Sequence, residues 1–365
     1  MKKYSCMVRF FIVSFTTFLM PFLMEAQSMS IFDYLAAQEI TEVSITTDLA
    51  QLLTLEGDEE QKAVLSFVNG AKETELWDIK LSARGKFRLR ICDFPPLKID
   101  FSKDDLKSRG FASYDKYKLV THCQENRQEA REAVLREYTT YQLYKALTPA
   151  SYETHLLRID YIDSEEKVST ERRYAFLLES NKELQDRLAV TECEDCLGYS
   201  PEQVDSQAEN LMAVFQYMIG NTDFNLSMAR NLKLFHTPGG TVVPVAYDFD
   251  FSAMVGVSYA IPARELGQKT IKDRIFLGFQ VTDEQMEQTL AYFESKRETL
   301  ELSIKNQRLL SANARYEMRE YLNEFYDHLT DLRQFGGLRT YSQMRQTAPE
   351  VVPAGAKPEN YGVRR

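Results

Sequence analysis

The chain has 365 residues, with 44 basic against 54 acidic side chains for a formal net charge of −10, and it is 44% hydrophobic and 12% aromatic. This composition excludes intrinsic disorder and a membrane bundle, and it supplies apolar material for one large bilobal domain or two compact ones. The acidic balance argues against a duplex-binding surface, which needs clustered Lys and Arg to displace counterions, so no nucleic acid is expected as a partner.

Residues 1–28 read as an export signal: Lys2, Lys3 and Arg9 precede an apolar run from Phe10 to Met24, and small residues follow around Ala26 and Ser28. That run is shorter than the roughly 20 apolar residues a membrane span needs. Cleavage is therefore expected, placing the chain in a periplasm or outside the cell with no membrane partner; a retained anchor is the alternative. Four cysteines remain, Cys92, Cys123, Cys193 and Cys196, an even number that permits two disulfides in an exported chain without fixing their connectivity. The Cys193 to Cys196 spacing also fits a redox pair or half of a zinc site, but export favours oxidation. His122, His155, His236 and His328 are scattered without metal-ligand spacing and read as ordinary surface or core residues.

Residues 29–180 are expected to form a β-rich lobe with one packed helix. Alternation over Val43–Thr47 and Trp77–Leu81 predicts half-buried strands. The run Arg84-Gly-Lys-Phe-Arg-Leu-Arg90 fits either a solvated turn between strands or a phosphate-facing loop, in which Gly85 lets the backbone approach an anion and an arginine forks onto its oxygens. Pro95-Pro96 closes that hairpin. Strands follow at Leu97–Phe101 and Tyr114–His122, the latter with Lys116 and Lys118 on one face. A helix is predicted from about Glu129 to Leu147, stopped by Thr148-Pro149, and two more strands span His155–Tyr161 and Arg173–Leu178.

Residues 181–345 read as a mostly helical lobe and 346–365 as a flexible tail. Ser200-Pro-Glu-Gln203 predicts a helix start with Ser as N-cap, Pro at the first position and a capping box, the helix running to Gly220-Asn221. A hairpin over Asn231–Ala246 then delivers Tyr247-Asp248-Phe249-Asp250. Two amphipathic helices follow, after Thr282 and from about Ala312 to Phe335.

In order, the chain offers a strand lysine (Lys118), a helix glutamate (Glu137), a connecting strand, a long helix, an aspartate (Asp223), an asparagine (Asn231), a hairpin and Asp248-Phe-Asp250. That is the order of a protein kinase, where phosphoryl transfer needs carboxylates for a divalent metal, a cation for the phosphates and a base for the acceptor hydroxyl.

Arg84-Gly85, Cys92-Asp-Phe-Pro-Pro-Leu-Lys-Ile-Asp-Phe101, Lys118-Leu-Val, Gly220-Asn-Thr-Asp223 with Arg230-Asn231, and Pro244-Val-Ala-Tyr-Asp-Phe-Asp-Phe-Ser252 together resemble the spore-coat-protein-H-type secretory kinases. Gly220–Asp223 and Ala246–Asp248 are more distantly similar to the persistence-toxin kinases. The resemblance spans roughly residues 75 to 280 and is most specific from Gly220 to Ser252. It implies an α+β, bilobal atypical protein-kinase-like fold, export, ATP with Mg or Mn, and an unidentified protein or glycan acceptor.

Carried over by position, it makes Asp223 the catalytic aspartate, Asn231 and Asp248 metal ligands, and Lys118 the phosphate-binding lysine paired to Glu137, with Arg84 near the phosphates. Asp250 replaces the usual glycine and is a further metal ligand or a helix cap. No Gly-rich loop precedes Lys118, and no His-Arg-Asp triplet surrounds Asp223. The spacing from Asp223 to Asn231 exceeds the usual one, which requires a longer loop or Asn225 in place of Asn231. These departures keep open a pseudokinase or surface interaction module, and the same fold also serves AMP transfer. A glycosidase built on Asp248 and Asp250 is disfavoured, because residues two apart on a strand share a face and do not flank a sugar.

Overall fold

The computed structural model describes residues 28–55, 59–85, 87–194, 197–336 and 340–344. The export signal, apart from Ser28, the tail at 346–365 and Cys196 lie outside the described residues. In chain order the elements are α1 (Ile31–Ala37), β1 (Glu42–Thr47), α2 (Leu49–Leu52), β2 (Gln61–Val68), β3 (Thr74–Ala83), α3 (Arg88–Ile91), β4 (Leu97–Phe101), α4 (Lys103–Ser108), β5 (Lys116–Val120), α5 (Arg127–Leu147), β6 (Thr154–Asp163) and β7 (Glu171–Leu178). There follow α6 (Asn181–Leu188), β8 (Thr191–Glu192), α7 (Ser206–Ile219), β9 (Leu232–His236), β10 (Val242–Ala246), α8 (Asp283–Asn306), α9 (Ala312–Gly336) and α10 (Thr340–Met344). The chain is thus a mixed α+β protein.

The first seven strands close into a barrel in the order β1-β2-β3-β4-β5-β7-β6, with β1 returning parallel to β6 in the register Glu42 to Thr47 against Arg158 to Asp163. A small sheet with one packed helix was expected, and a closed barrel is not kinase-like, so this part of the fold expectation is corrected. The reason lies in β1 and β2, whose alternate side chains Val43, Ile45, Ala63, Leu65 and Phe67 are buried. On an open sheet these strands would leave an unpaired edge, and pairing β1 with β6 removes it. Trp77 lies fully buried and meets Phe101 and Phe111 edge-on, with ring centroids 5.7 and 5.5 Å away. Burying one such side chain stabilises by about 1.5–3 kcal/mol.

A second core gathers α5, α7, the β9–β10 hairpin, α8 and α9 around Tyr144, Phe215, Phe249, Phe293 and Phe325. The helix α5 starts where Asn126 accepts the N–H groups of Gln128 and Glu129, and it ends at the extended Thr148 before Pro149. The helix predicted from Ser200 is divided. Ser200 and Gln203 do form a capping box, but on a short 3-10 turn, and Val204 then runs extended and bridges Val242. Asp205 caps the helix proper by accepting from the N–H of Ala208 at 2.8 Å. The sheet contact of Val204 overrides the helix start at Ser200.

Cys92 and Cys123 form a disulfide across 31 residues, tying the end of α3 to the residue that follows β5 and His122. The N–H of Asp93 donates to the Cys123 carbonyl at 2.8 Å beside it. Cys193 is disulfide-bonded as well, consistent with the oxidised state expected of these cysteines. Replacing Cys92 and Cys123 together by Ser is expected to lower the unfolding free energy by about 2–4 kcal/mol, because a loop of this length regains its freedom in the unfolded chain. Urea unfolding of the variant beside the oxidised parent measures this.

Candidate functional site

The segment after β10 is organised by its apolar member. Phe249 is fully buried, with its ring centroid 4.6 Å from that of Tyr141 on α5 and 5.5 Å from that of Phe215 on α7. Anchoring Phe249 there fixes Asp248 and Asp250 on either side. The N–H of Asp248 donates to the Tyr141 hydroxyl at 2.8 Å, and the residue is held at φ +64°, a left-handed conformation that Asp tolerates better than most side chains.

The loop carrying Asp223 begins at Gly220, whose φ of +65° ends α7 and whose position leaves no space for a side chain: a Cβ would lie 2.1 Å from the Tyr321 hydroxyl oxygen. Asn221 is buried, and its side-chain oxygen accepts from the N–H of Asp223 at 2.9 Å. Asn231, itself at φ +53°, donates its amide to the Asp223 carbonyl at 2.6 Å and to its carboxylate at 2.9 Å. Arg230 stands 3.6 Å from the same carboxylate. Asn225 is turned into the loop: its side chain accepts from the N–H of Met228 and its backbone pairs with Arg230, whereas Asn231 lines the cleft described next.

A cleft of about 330 Å³ brings together Arg84, Asp223, Asn231, Asp248 and Asp250, five of the seven residues singled out in the sequence. Lys118 lines a neighbouring cavity, with its ammonium 3.9 Å from the centre of the Tyr247 ring. Glu137 is buried on α5. The expected pairing of Lys118 with Glu137 is corrected, since among the described residues Lys118 makes no ion pair. The partner of Glu137 is Arg88, at 4.0 Å.

Arg88 was the residue that sequence reasoning missed. It is buried at the start of α3, and its Nη2 lies 2.5 Å from Asp248 and 2.8 Å from Asp250. Nothing in the sequence separated it from Arg90, because both occur in the same arginine-rich run. Tyr259 was missed too; its hydroxyl donates to Asp250 at 3.0 Å.

The charges shift one another. Burial by itself would lower Arg88, but Asp248, Asp250 and Glu137 outweigh it and hold the guanidinium charged. Burial would raise Asp248, yet Arg88, Arg84 and Lys118 keep it below the usual carboxylate range. Asp250 and Glu137 are raised by burial, which Arg88 only partly offsets. Burial also pushes Asp223 up to about 6 against the pull of Arg230. Lys118 is drawn down to about 7 by burial and then by Arg84. The Nε of Arg84 is buried without a hydrogen-bond acceptor. Together these groups form a polar cleft in which Arg84, Arg88 and Arg230 stand with the carboxylates, while Lys118 lines the cavity beside it. Among the described residues no group of three His, Cys, Asp or Glu side chains is arranged to hold a metal ion. A metal set here would rest on Asp248, Asp250 and the amide of Asn231.

No protein-family model matches the chain, and no curated protein matches it in sequence. Among solved structures, the chain is similar to the Helicobacter pylori proinflammatory kinase CtkA at a TM-score of 0.38 and 8% sequence identity, over 70% of this chain and 92% of that one.

Removing Arg88 leaves three carboxylates without their shared cation. Arg88→Ala is expected to destabilise by about 3–5 kcal/mol at neutral pH, with Arg88→Lys recovering part of the loss. Without the guanidinium, burial and mutual repulsion raise these three carboxyls further, so their contribution to the variant's stability is least unfavourable below about pH 4 and worsens as pH rises and they must ionise. The deficit against the parent should accordingly be larger at pH 8 than at pH 5 in denaturant unfolding.

Proposed function

We propose that the chain is an exported atypical kinase of the spore-coat-protein-H type, which transfers the γ-phosphoryl of ATP to a hydroxyl of a protein or glycan. The observation that carries the reading is the cleft itself. It gathers Asp223, Asn231 and the Asp248-Phe-Asp250 segment around an arginine whose buried Nε has no acceptor. An N–H in that state costs free energy that a phosphate oxygen would recover.

In this reading Arg84 and Lys118 meet the phosphates. The depressed Lys118 would regain its proton as the nucleotide brings negative charge beside it. Asp223 accepts the acceptor's hydroxyl proton while the hydroxyl oxygen attacks the γ-phosphorus and ADP leaves. Asn231 and Arg230 hold Asp223 in place for that step. Asp248 and the amide oxygen of Asn231 are hard oxygen donors that fit Mg²⁺ or Mn²⁺, with Asp250 available once Arg88 yields it. A bound divalent ion would neutralise charge on the phosphate oxygens. Glu137 acts by retaining Arg88 at the cleft, in place of the role expected for it beside Lys118.

A second reading, nucleotide binding without transfer, is favoured by one observation: Arg88 already occupies the carboxylates that a metal would need. Product mass separates these readings and the AMP-transfer alternative. Transfer of phosphate adds about 80 Da, transfer of AMP adds about 329 Da, and binding alone adds nothing.

Thermal unfolding of the chain lacking residues 1–28 should rise in midpoint with ATP plus Mg²⁺ or Mn²⁺, since a ligand that binds only the folded state stabilises it. Asp248→Ala should lose the metal-dependent part of that rise. An equal rise in parent and variant would remove Asp248 from the metal site, and no rise at millimolar nucleotide would remove the nucleotide reading.

If Asp223 is the base, turnover should climb as pH passes through about 6, where its carboxyl loses the proton and becomes able to accept one. Asp223→Asn should abolish that limb and lower kcat by about 10²–10⁴-fold while leaving nucleotide affinity within a few-fold. A pH–rate profile with both proteins checks it.

A further inference from the structure

A second hollow lies apart from the cleft, at the start of α5 beside β6 and β7. Its volume is about 350 Å³, and five arginines line it, Arg127, Arg131, Arg158, Arg172 and Arg173, together with Tyr174 and His122. None of these residues lines the candidate cleft. So many guanidinium groups in one concavity are unexpected in a chain of net charge −10.

Three of them are matched by acids: Arg172 by Asp160 at 2.5 Å, Arg173 by Glu171 at 2.8 Å, and Arg158 by Glu42. Among the described residues Arg127 and Arg131 make no ion pair, so the hollow holds a surplus of positive charge. His122 adds none, because burial and then Arg173 push its imidazole down to about 3.

Two buried donors point to what is missing. Arg173 is 8% exposed, and its Nη1 has no hydrogen-bond partner; the Nε of Arg131 is buried and unpartnered as well. A buried N–H without an acceptor costs about 1–3 kcal/mol, more on a charged group, and an oxyanion entering the hollow would offer acceptors to the two arginines that carry these donors. Other contacts hold these donors in place. Arg131 lies 5.5 Å from the centre of the Tyr174 ring and donates through Nη2 to the Leu309 carbonyl at 2.6 Å. Arg173 donates through Nε to Glu171 at 2.8 Å. The first turn of the 21-residue helix α5 adds a positive end. Asn126 already accepts from the N–H groups of Gln128 and Glu129, so the helix contributes its field and the arginines contribute the hydrogen bonds.

We propose that this hollow binds a compact tetrahedral oxyanion, a phosphate or sulfate group that is either free or carried on a larger molecule. The planar fork of arginine matches the oxygens of such a group two at a time, which a halide does not offer. The site is independent of the kinase reading, because it shares no residue with the cleft.

The test is titration calorimetry at constant ionic strength on the chain lacking residues 1–28, with inorganic phosphate, sulfate, pyrophosphate and O-phosphoserine as probes and chloride as the balancing ion. An Arg84→Gln background weakens anion binding in the candidate cleft and separates the two sites. Saturable binding of at least one oxyanion is expected in that background. Arg127→Gln combined with Arg131→Gln should weaken it at least tenfold. Arg127→Gln alone, on an exposed side chain, should weaken it several-fold without affecting folding. Tighter binding of O-phosphoserine than of inorganic phosphate would identify a carried group, and preference for sulfate a sulfated one. No saturable binding of any probe at millimolar concentration, or equal affinity in the background protein and both variants, would overturn the proposal.

Discussion

Around the guanidinium group of Arg88 stand Glu137, Asp248 and Asp250, and the form of the candidate cleft follows from that balance of charge. Glu137 and Asp250 are buried, and carboxylates so close together repel one another and lose hydration; without a cation among them they would take up protons or move apart. Arginine suits the position because it stays charged at any ordinary pH and presents several donors in one plane. The three acids come from α5 and from the segment after β10, while Arg88 comes from α3, between β3 and β4. One side chain therefore joins the barrel to the helical core at the point where the cleft opens.

Two further constraints keep Arg88 there. The disulfide between Cys92 and Cys123 ties the end of α3 to the chain after β5, which limits how far the arginine-rich loop can swing. On the opposite side, Phe249 is wedged among Tyr141, Tyr144 and Phe215, so the residues on either side of it have little freedom. The backbone of Asp248 and Asn231 lies in the left-handed region, a conformation that costs free energy and persists because the surroundings hold it. Such strain collects where side chains must be aimed, which agrees with the convergence of Asp223, Asn231 and Asp248 on one cleft.

Much of the secondary structure was legible because it rests on local rules. Alternation marked β1, β3, β4 and β5, the apolar spacing and Thr148-Pro149 marked α5, and Gly220 marked the end of α7. The strand β2 carries the same alternation, with Gln61, Ala63, Leu65 and Phe67 buried and Lys62 exposed between them, but it is not among the strands expected from the sequence. The start of α7 was misplaced because Val204 is drawn into a bridge with Val242, a partner 38 positions away. In the cleft, Asp223, Asn231, Asp248 and Asp250 were legible from their order along the chain. Arg88 was not, since a charged residue among other charged residues shows no sign of burial until its partners are known.

By itself, the sequence determined which segments alternate, where helices stop, and which carboxylates and amides stand at the ends of apolar arms. These are short-range matters of backbone sterics and side-chain periodicity. Tertiary structure alone decided that β1 closes the sheet against β6, that Arg88 and not Lys118 pairs with Glu137, and that five arginines meet in one hollow. Each of those outcomes depends on distance in space between residues far apart in the chain. Charge compensation and edge pairing act over a few ångströms, and the sequence alone does not say which residues come that close.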